Sequence, residues 1–275
     1  MRNLKVNNKS ILNITIIGYG KLAKCLVQGF IEHENIRLRV SSPSFIFNIP
    51  HELGNVSCSE DNNKYIDDAD FILLAVKPQM IYKVVSEIEK NINSSSCLIS
   101  VAAGLDIASM ESGLTSRHCI IRAMPNTSAA INQSPTPLYA NKFCTDKQKK
   151  QVNYLFEIIG QPVWLDDESQ LDVLTALIGS GPAFVYEFIM ELSKSSQSLG
   201  LPLSKANKLA SQMVLGASQI AVAQANQLPE LQAQVISKGG TTEAGLKAMR
   251  NTEFAQSINS AITKATSRAK ELKKT

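Results

Sequence analysis

The chain has 275 residues, of which 44% are hydrophobic and 19% charged, with a net charge of +4. That length suits one or two domains with a sizeable core, and its mild, dispersed basicity argues against the dense basic face of a nucleic-acid binder. The five cysteines (Cys25, Cys58, Cys97, Cys119 and Cys144) are odd in number, irregularly spaced and without a CxxC pair. They predict neither a metal site nor a disulfide framework and fit a reducing compartment. Residues 1–12 are too polar for a signal peptide, and no run is expected to approach a membrane span, so the expectation is a cytoplasmic protein.

In chain order, the β-rich runs Asn13–Ile17, Arg37–Ser41, Phe71–Ala75, Cys97–Val101 and Cys119–Ala123 alternate with amphipathic stretches such as Lys21–Glu32 and Gln79–Asn91. This alternation predicts a parallel sheet with helices on both faces. Thr136–Ala140 and Pro162–Leu165 are expected as two further strands flanking a helix around Asp146–Ile159. From Glu168 onward strand signals vanish and Ala, Leu, Gln and Ser dominate helical patterns, including Lys205–Ala225. The predicted fold is an α/β Rossmann-type nucleotide-binding domain over 1–165, followed by an all-α domain over 166–275. The Lys/Arg-rich tail Lys264–Lys274 is expected as a solvated helix face.

The first strand runs into Gly18-Tyr19-Gly20-Lys21-Leu22-Ala23, a GxGxxA turn that opens a helix. Gly18 permits the tight turn, Gly20 lets a pyrophosphate approach the helix N-terminus, and Ala23 allows close helix–strand packing. The end of the second strand, Arg37–Pro43, carries no acid to bind ribose hydroxyls, but two serines and two arginines. A 2′-phosphate is tolerated there, so the reading leans to NADP with NAD possible; the other option is that the arginines point to solvent. The loops Ala75-Val76-Lys77-Pro78 and Ser100–Gly104 leave strand carboxyl ends, where dinucleotides lie in such sheets. Lys77 either touches the cofactor or caps a neighbouring carbonyl.

In the helical half, Ser237–Gly245 reads SKGGTTEAG. Gly239 and Gly240 let backbone N–H groups approach a small ligand, and Thr241 or Thr242 can cap the following helix, whose positive end suits a carboxylate. Glu168 either accepts from a protonated ring nitrogen or is an acid favoured at a helix N-terminus. Ser180 is able to cap a helix entry, Trp164 is expected at the domain junction, and His33, His51 and His118 are expected to be structural or solvated, with no metal site.

Taken together, IIGYGKLA, VSSPS, LAVKPQ, SVAAGL, RAMPNT, IGSGPAF, GLPLSKA, QMVLGA and SKGGTTEAGL resemble the pyrroline-5-carboxylate reductase family in order, over about Asn13 to Met249. The resemblance implies NAD(P)H-dependent hydride transfer to the imine carbon of 1-pyrroline-5-carboxylate, giving L-proline, in a homodimer or larger homo-oligomer formed through the helical half. It implies cofactor roles for Ile17, Gly18, Tyr19, Gly20, Lys21, Leu22, Ser42, Asn62, Ala75, Val76, Lys77, Ala102 and Ala103. It places substrate contacts at Glu168, Gly239, Gly240, Thr241 and Thr242, with Thr242 on the ring nitrogen as the catalytic group. The sequence departs from the family pattern at Lys238, Ile178, Phe184 and Ser128. Two other readings remain at this point: a catalytically weak dinucleotide-binding sensor or scaffold, and a reductase of a related cyclic imine.

Overall fold

The computed structural model describes residues 11–54 and 56–273. The expectation for the amino-terminal stretch falls mostly outside these described residues, as does Lys274 of the basic tail.

Among the described residues eight strands form one sheet: β1 (Leu12–Ile17), β2 (Ile36–Ser41), β3 (Ser57–Ser59), β4 (Phe71–Leu74), β5 (Cys97–Ser100), β6 (Cys119–Ala123), β7 (Ser134–Ala140) and β8 (Gly160–Trp164), in the order β3-β2-β1-β4-β5-β6-β7-β8. The first six run parallel. β7 returns antiparallel to β6 and β8 follows β7, because only a short helical turn, Thr127–Ile131, separates β6 from β7 and a parallel crossover needs a longer connection. Strand β3 is not among those expected, because its three residues SCS carry too little apolar pattern.

Helices α1 (Lys21–Phe30) and α4 (Asp146–Ile158) pack on one face of the sheet, and α2 (Pro78–Ile88) and α3 (Ile107–Glu111) on the other. Ile14, Ile16, Leu73, Ile99 and Ile121 meet Leu26, Phe30, Leu155 and Phe156, while Ile17, Ile72, Leu74, Leu98 and Ile120 meet Ile81, Val85 and Met110. Successive strand residues point to opposite faces, so a strand covered on both sides reads as a continuous apolar run, as in FILL and CIIRA. A capping box opens α4: Thr145 Oγ1 accepts from the Gln148 N–H at 3.2 Å, and Gln148 Oε1 accepts from the Thr145 N–H at 2.9 Å. Trp164, expected at a domain junction, packs against the first core cluster, and its Nε1 donates to Asn153 Oδ1 of α4 at 3.2 Å.

The helical region comprises α5 (Gln170–Leu174), α6 (Gly181–Ser198), α7 (Leu203–Ala223), α8 (Leu228–Gln234), α9 (Thr241–Asn251) and α10 (Phe254–Leu272). A π-helical turn, Thr175–Gly179, joins α5 to α6, and Ser180 makes no side-chain cap there. The chain forms two compact units, Met1–Gly179 with Ala265–Thr275, and Ser180–Lys264. The first unit extends past residue 165, and the entry to α5 is tied to the sheet through Glu168 and Arg122, which bond at 2.9 Å. The end of α10 also returns to the first unit: Ala269 is buried and Lys273 pairs with Asp172. The basic tail keeps the solvated face expected of it, with Lys264, Arg268 and Lys270 exposed, while Ala269 on its other side is buried.

Within the second unit α6 buries only Ser193 and α7 only Ala206, while Tyr186, Phe188, Leu209, Met213, Leu215 and Ile220 stand exposed. Contrary to the reading that no run approaches a membrane span, Gln170–Ser198 is long and apolar enough to cross one by length and composition, with 6% of its apolar window buried within the chain. Apolar helix faces of this extent mark an interaction surface.

Cys119 and Cys144 are joined as a disulfide, with Cα atoms 4.5 Å apart, where the sequence pattern predicted none. The pair depends on β6 lying beside the turn that enters α4, which residue spacing does not reveal. Cys97, paired with Cys119 across the strand register, keeps a thiol that burial and Asp70 push up to about 12. His118 is buried, and among the described residues neither ring nitrogen has a hydrogen-bond partner. Desolvation lowers its pKa, while the nearby Glu89 acts in the opposite direction. The folded state then binds fewer protons than the unfolded chain, so the stability contributed by neutral His118 is complete above the unfolded value of about 6.5 and is lost as pH falls below it. Denaturant titrations of His118→Phe at several pH values are expected to show a shallower loss of stability below about pH 6.5, by at most about 1.4 kcal/mol per pH unit.

Candidate active site

Strand β1 is the central switch point of the sheet, with β2 on one side and β4 on the other. Ligands of open α/β sheets bind beyond the carboxyl end of such a strand. There Gly18 holds φ +99°, and a Cβ on it would lie 2.7 Å from the Ala75 carbonyl oxygen, so only glycine lets β1 turn this close to β4. Its N–H donates to the Ser41 carbonyl at 2.7 Å.

Gly20 is the N-cap of α1, with no side-chain cap, no acid in the first helical turn and nothing within 4 Å of the place a Cβ would take. The first-turn N–H groups thus meet open space carrying the positive end of the helix dipole, which fits a pyrophosphate. The crevice, about 330 Å³, is lined by Gly20–Ala23, Ala75–Gln79, Val101–Ala103 and Leu272. The predicted loops after β1, β4 and β5 therefore come together at one place. Ile17 is buried beneath it. Lys77 lines the crevice, and among the described residues no carbonyl accepts from its ammonium. Tyr19 packs on Phe45 with ring centroids 5.5 Å apart; burial and the Glu52 carboxylate push its phenol up to about 12, so it stays neutral at ordinary pH.

Ser42 and Asn62 lie buried at the carboxyl ends of β2 and β3. The Ser42 N–H donates to the Ser59 carbonyl at 2.9 Å, its hydroxyl is 2.8 Å from that of Ser44, and Ser41 Oγ donates to Asn62 Oδ1 at 3.0 Å. The arginines expected nearby are placed otherwise. Arg39 is held by both carboxylate oxygens of Asp68, with Nη2–Oδ2 at 2.6 Å, and lies over the Tyr65 ring. Arg37 is exposed near the start of β2. Tolerance for a 2′-phosphate rests on the two serine hydroxyls and the missing acid, not on the arginines.

Glu168 accepts at Oε1 from Arg122 Nη1 at 2.9 Å and from the Ile107 N–H at 2.8 Å. Its guanidinium partner is 2% exposed, and Arg122 Nη2 is buried with no hydrogen-bond partner among the described residues. Glu168 is thus a tether joining β6, the start of α3 and the entry to α5. Sequence reasoning passed over Arg122, although a charged residue inside the apolar strand CIIRA is itself a signal that an ion partner must exist.

In the second unit Gly239 takes φ +73°, and a Cβ on Gly240 would collide with Ser237. Gly240, rather than either threonine, is the N-cap of α9, and no side chain caps it. Glu243 reaches back to accept from the Gly239 N–H at 2.6 Å, and the Gly240 N–H donates to the Ser237 carbonyl at 2.9 Å. The two glycine N–H groups are consequently engaged inside the turn. At the first helical positions Thr241 is exposed and Thr242 half-buried; among the described residues their N–H groups and hydroxyls have no partner. Lys238 is exposed at the approach to this turn.

Residues 168–272 match the family model for pyrroline-5-carboxylate reductase dimerisation, and residues 13–104 match that for NADP oxidoreductase, coenzyme F420-dependent. The chain is 33% identical to a pyrroline-5-carboxylate reductase of Pseudomonas aeruginosa, covering 94% of this chain and 96% of the relative. It is also 33% identical to one from Glycine max, over 93% and 94%. A Coxiella burnetii pyrroline-5-carboxylate reductase structure superimposes with a TM-score of 0.86 at 32% identity, covering 98% of this chain and all of that one. A Plasmodium falciparum pyrroline carboxylate reductase solved with NADP bound gives a TM-score of 0.85 at 26% identity, over 95% and 98%. With the glycine turn of β1, the crevice above it and the unpartnered helical faces all in place, the chain belongs to the pyrroline-5-carboxylate reductase family.

Proposed function

We propose that the chain reduces 1-pyrroline-5-carboxylate to L-proline with NADPH, and with NADH as a second donor. The observation that carries this reading is the uncapped N-terminus of α1, open at Gly20 and flanked by the Ala75–Lys77 and Ala102–Ala103 loops. Residues 1–165 hold the cofactor in this reading, and 166–275 supply dimerisation and substrate contacts; the exposed apolar faces of α6 and α7 are covered by a second copy. In this reading the protein works in the cytoplasm.

Bound at the crevice, the reduced nicotinamide supplies a hydride to the imine carbon. The chain's own residues bind and orient. The first-turn N–H groups of α1 hold the pyrophosphate, and Ser42 and Asn62 hold the adenosine ribose and its 2′ substituent. Small Ala102 and Ala103 admit the nicotinamide end. The N–H groups of Thr241 and Thr242, at the positive end of α9, take the substrate carboxylate. The Thr242 hydroxyl bonds the ring nitrogen and holds its proton in place. The protonated imine is already electrophilic, so positioning supplies the catalysis without a nucleophile or metal. Glu168 contributes through its tether to Arg122, which fixes the entry to α5.

The experiment is the oxidation of NADPH and NADH by purified, folded protein in the presence of pyrroline-5-carboxylate and of its six-membered homologue. Turnover with both nucleotides, greater with NADPH and with the five-membered ring, is expected. Inactivity with both nucleotides overturns the reading.

A further inference from the structure

The crevice above β1 has one wall that no nucleotide-binding motif supplies. Leu272, the last residue of α10, lines it beside Val101–Ala103. Gly104 follows that loop with φ +70°, and a Cβ there would lie 2.6 Å from Leu272 Cβ and 3.4 Å from the Ala269 carbonyl oxygen. The loop and the helix end are therefore in direct apposition, with Ala269 buried in the contact.

An ion pair beside this contact holds it closed. Lys273 Nζ lies 2.6 Å from Asp172 Oδ1, with side chains 22% and 8% exposed. Asp172 sits on α5, whose entry is fixed by Glu168 through Arg122 and the Ile107 N–H. Asp106, which caps α3 by accepting from the Ser109 N–H, has its pKa lowered first by Ser109 and further by the charges of Lys273 and Arg122. One ion pair thus fastens the end of α10 to α5, with Asp106 near enough to feel the charge of Lys273. A partly buried ammonium requires such an arrangement, because it has left much of its hydration behind.

We propose that Leu272 is a cofactor-contacting residue and that Lys273, acting through Asp172, is the positioning residue that seats it, so that the carboxyl-terminal helix end sets dinucleotide affinity. This inference rests on the crevice being the dinucleotide site. Leu272 gives the crevice an apolar surface opposite the α1 N-terminus, and the ion pair determines whether that surface stays in place. A role confined to folding would lower thermal stability and leave the affinity of the folded protein for NADPH unchanged. A positioning role separates the kinetic constants: KM for NADPH rises, while kcat at saturating nucleotide and KM for the imino acid hold.

The test measures NADPH dissociation constants by fluorescence, together with steady-state kinetics and melting temperatures, on the full-length protein. The variants are Leu272→Ala, Lys273→Met, Asp172→Asn and the charge swap Asp172→Lys with Lys273→Asp. Leu272→Ala and Lys273→Met are each expected to weaken NADPH binding by about 5- to 10-fold, the effect of losing one seated apolar side chain. The charge swap is expected to recover much of what Asp172→Asn loses. Should Asp172→Asn fold poorly, Leu272→Ala leaves the ion pair intact and decides the matter. Dissociation constants within about twofold of wild type for both Leu272→Ala and Lys273→Met, from a wild type that binds NADPH, overturn the inference. A folded wild type that does not bind NADPH instead overturns the assignment of the crevice and this inference with it.

Discussion

Replacing Thr242 by alanine is expected to lower kcat/KM for pyrroline-5-carboxylate by about 10²- to 10³-fold, the range found when a single donor or proton-holding group is removed from a reacting centre. The residue occupies the second position of α9 and is half-buried; its hydroxyl has no partner among the described residues. It caps nothing, so its removal leaves the helix start as it was. Alanine is a better helix former than threonine, and the melting temperature should hold or rise slightly. NADPH affinity should also hold, because the α1 turn is untouched. Thr242→Ser keeps a hydroxyl at the same atom and should retain activity to within about tenfold. Steady-state kinetics on the two variants, with NADPH binding as the control, make the comparison. A Thr242→Ala enzyme within about threefold of wild type would sink the assignment of Thr242 to the ring nitrogen.

The second large effect is expected at Gly20, where stability and function should move in opposite directions. Gly20 is the N-cap of α1 in extended conformation, φ −82° and ψ −173°, a backbone that any residue adopts. Nothing lies within 4 Å of a Cβ placed there. Aspartate is among the best N-caps, so Gly20→Asp should satisfy a first-turn N–H and stabilise the helix by a few tenths of a kcal/mol. The same carboxylate then occupies the anion site and repels the pyrophosphate. Two like charges about 4 Å apart near a protein surface interact by about 4 kcal/mol, so NADPH binding should weaken by at least about 100-fold. Gly20→Ala adds no charge and should lose far less. Calorimetric titration with NADPH, set beside thermal melts, reads both halves of the prediction. A Gly20→Asp protein that is equally stable and binds NADPH within about fivefold of wild type would show that the dinucleotide phosphates lie elsewhere.

These two positions differ in how openly the sequence announced them. Gly20 sits in a local pattern of strand, tight turn and amphipathic helix, each part of which is set by residues close in the chain. Thr242 stands in an equally local pattern, yet which group caps the helix was misjudged. The backbone placed Gly240 at the cap and sent Glu243 back to the Gly239 N–H, so the amides left for a ligand belong to the threonines. Of the two arginines of β2, Arg37 is exposed, an option the sequence left open. Arg39 finds Asp68 across the structure, a partner 29 residues away that no turn or periodicity indicates.

The sequence by itself determined the strand–helix alternation, the turn after β1 and the change to an all-helical texture, because apolar periodicity and glycine chemistry act over a few neighbouring residues. Tertiary structure alone decided the Cys119–Cys144 bond, the tethering of Glu168 by Arg122, the return of Leu272 to the crevice and the pairing of Lys273 with Asp172. Each of these depends on which distant segments become neighbours once both faces of the sheet are covered. That choice is made by packing and by the need to pair buried charges, and neither leaves a periodic trace in the chain.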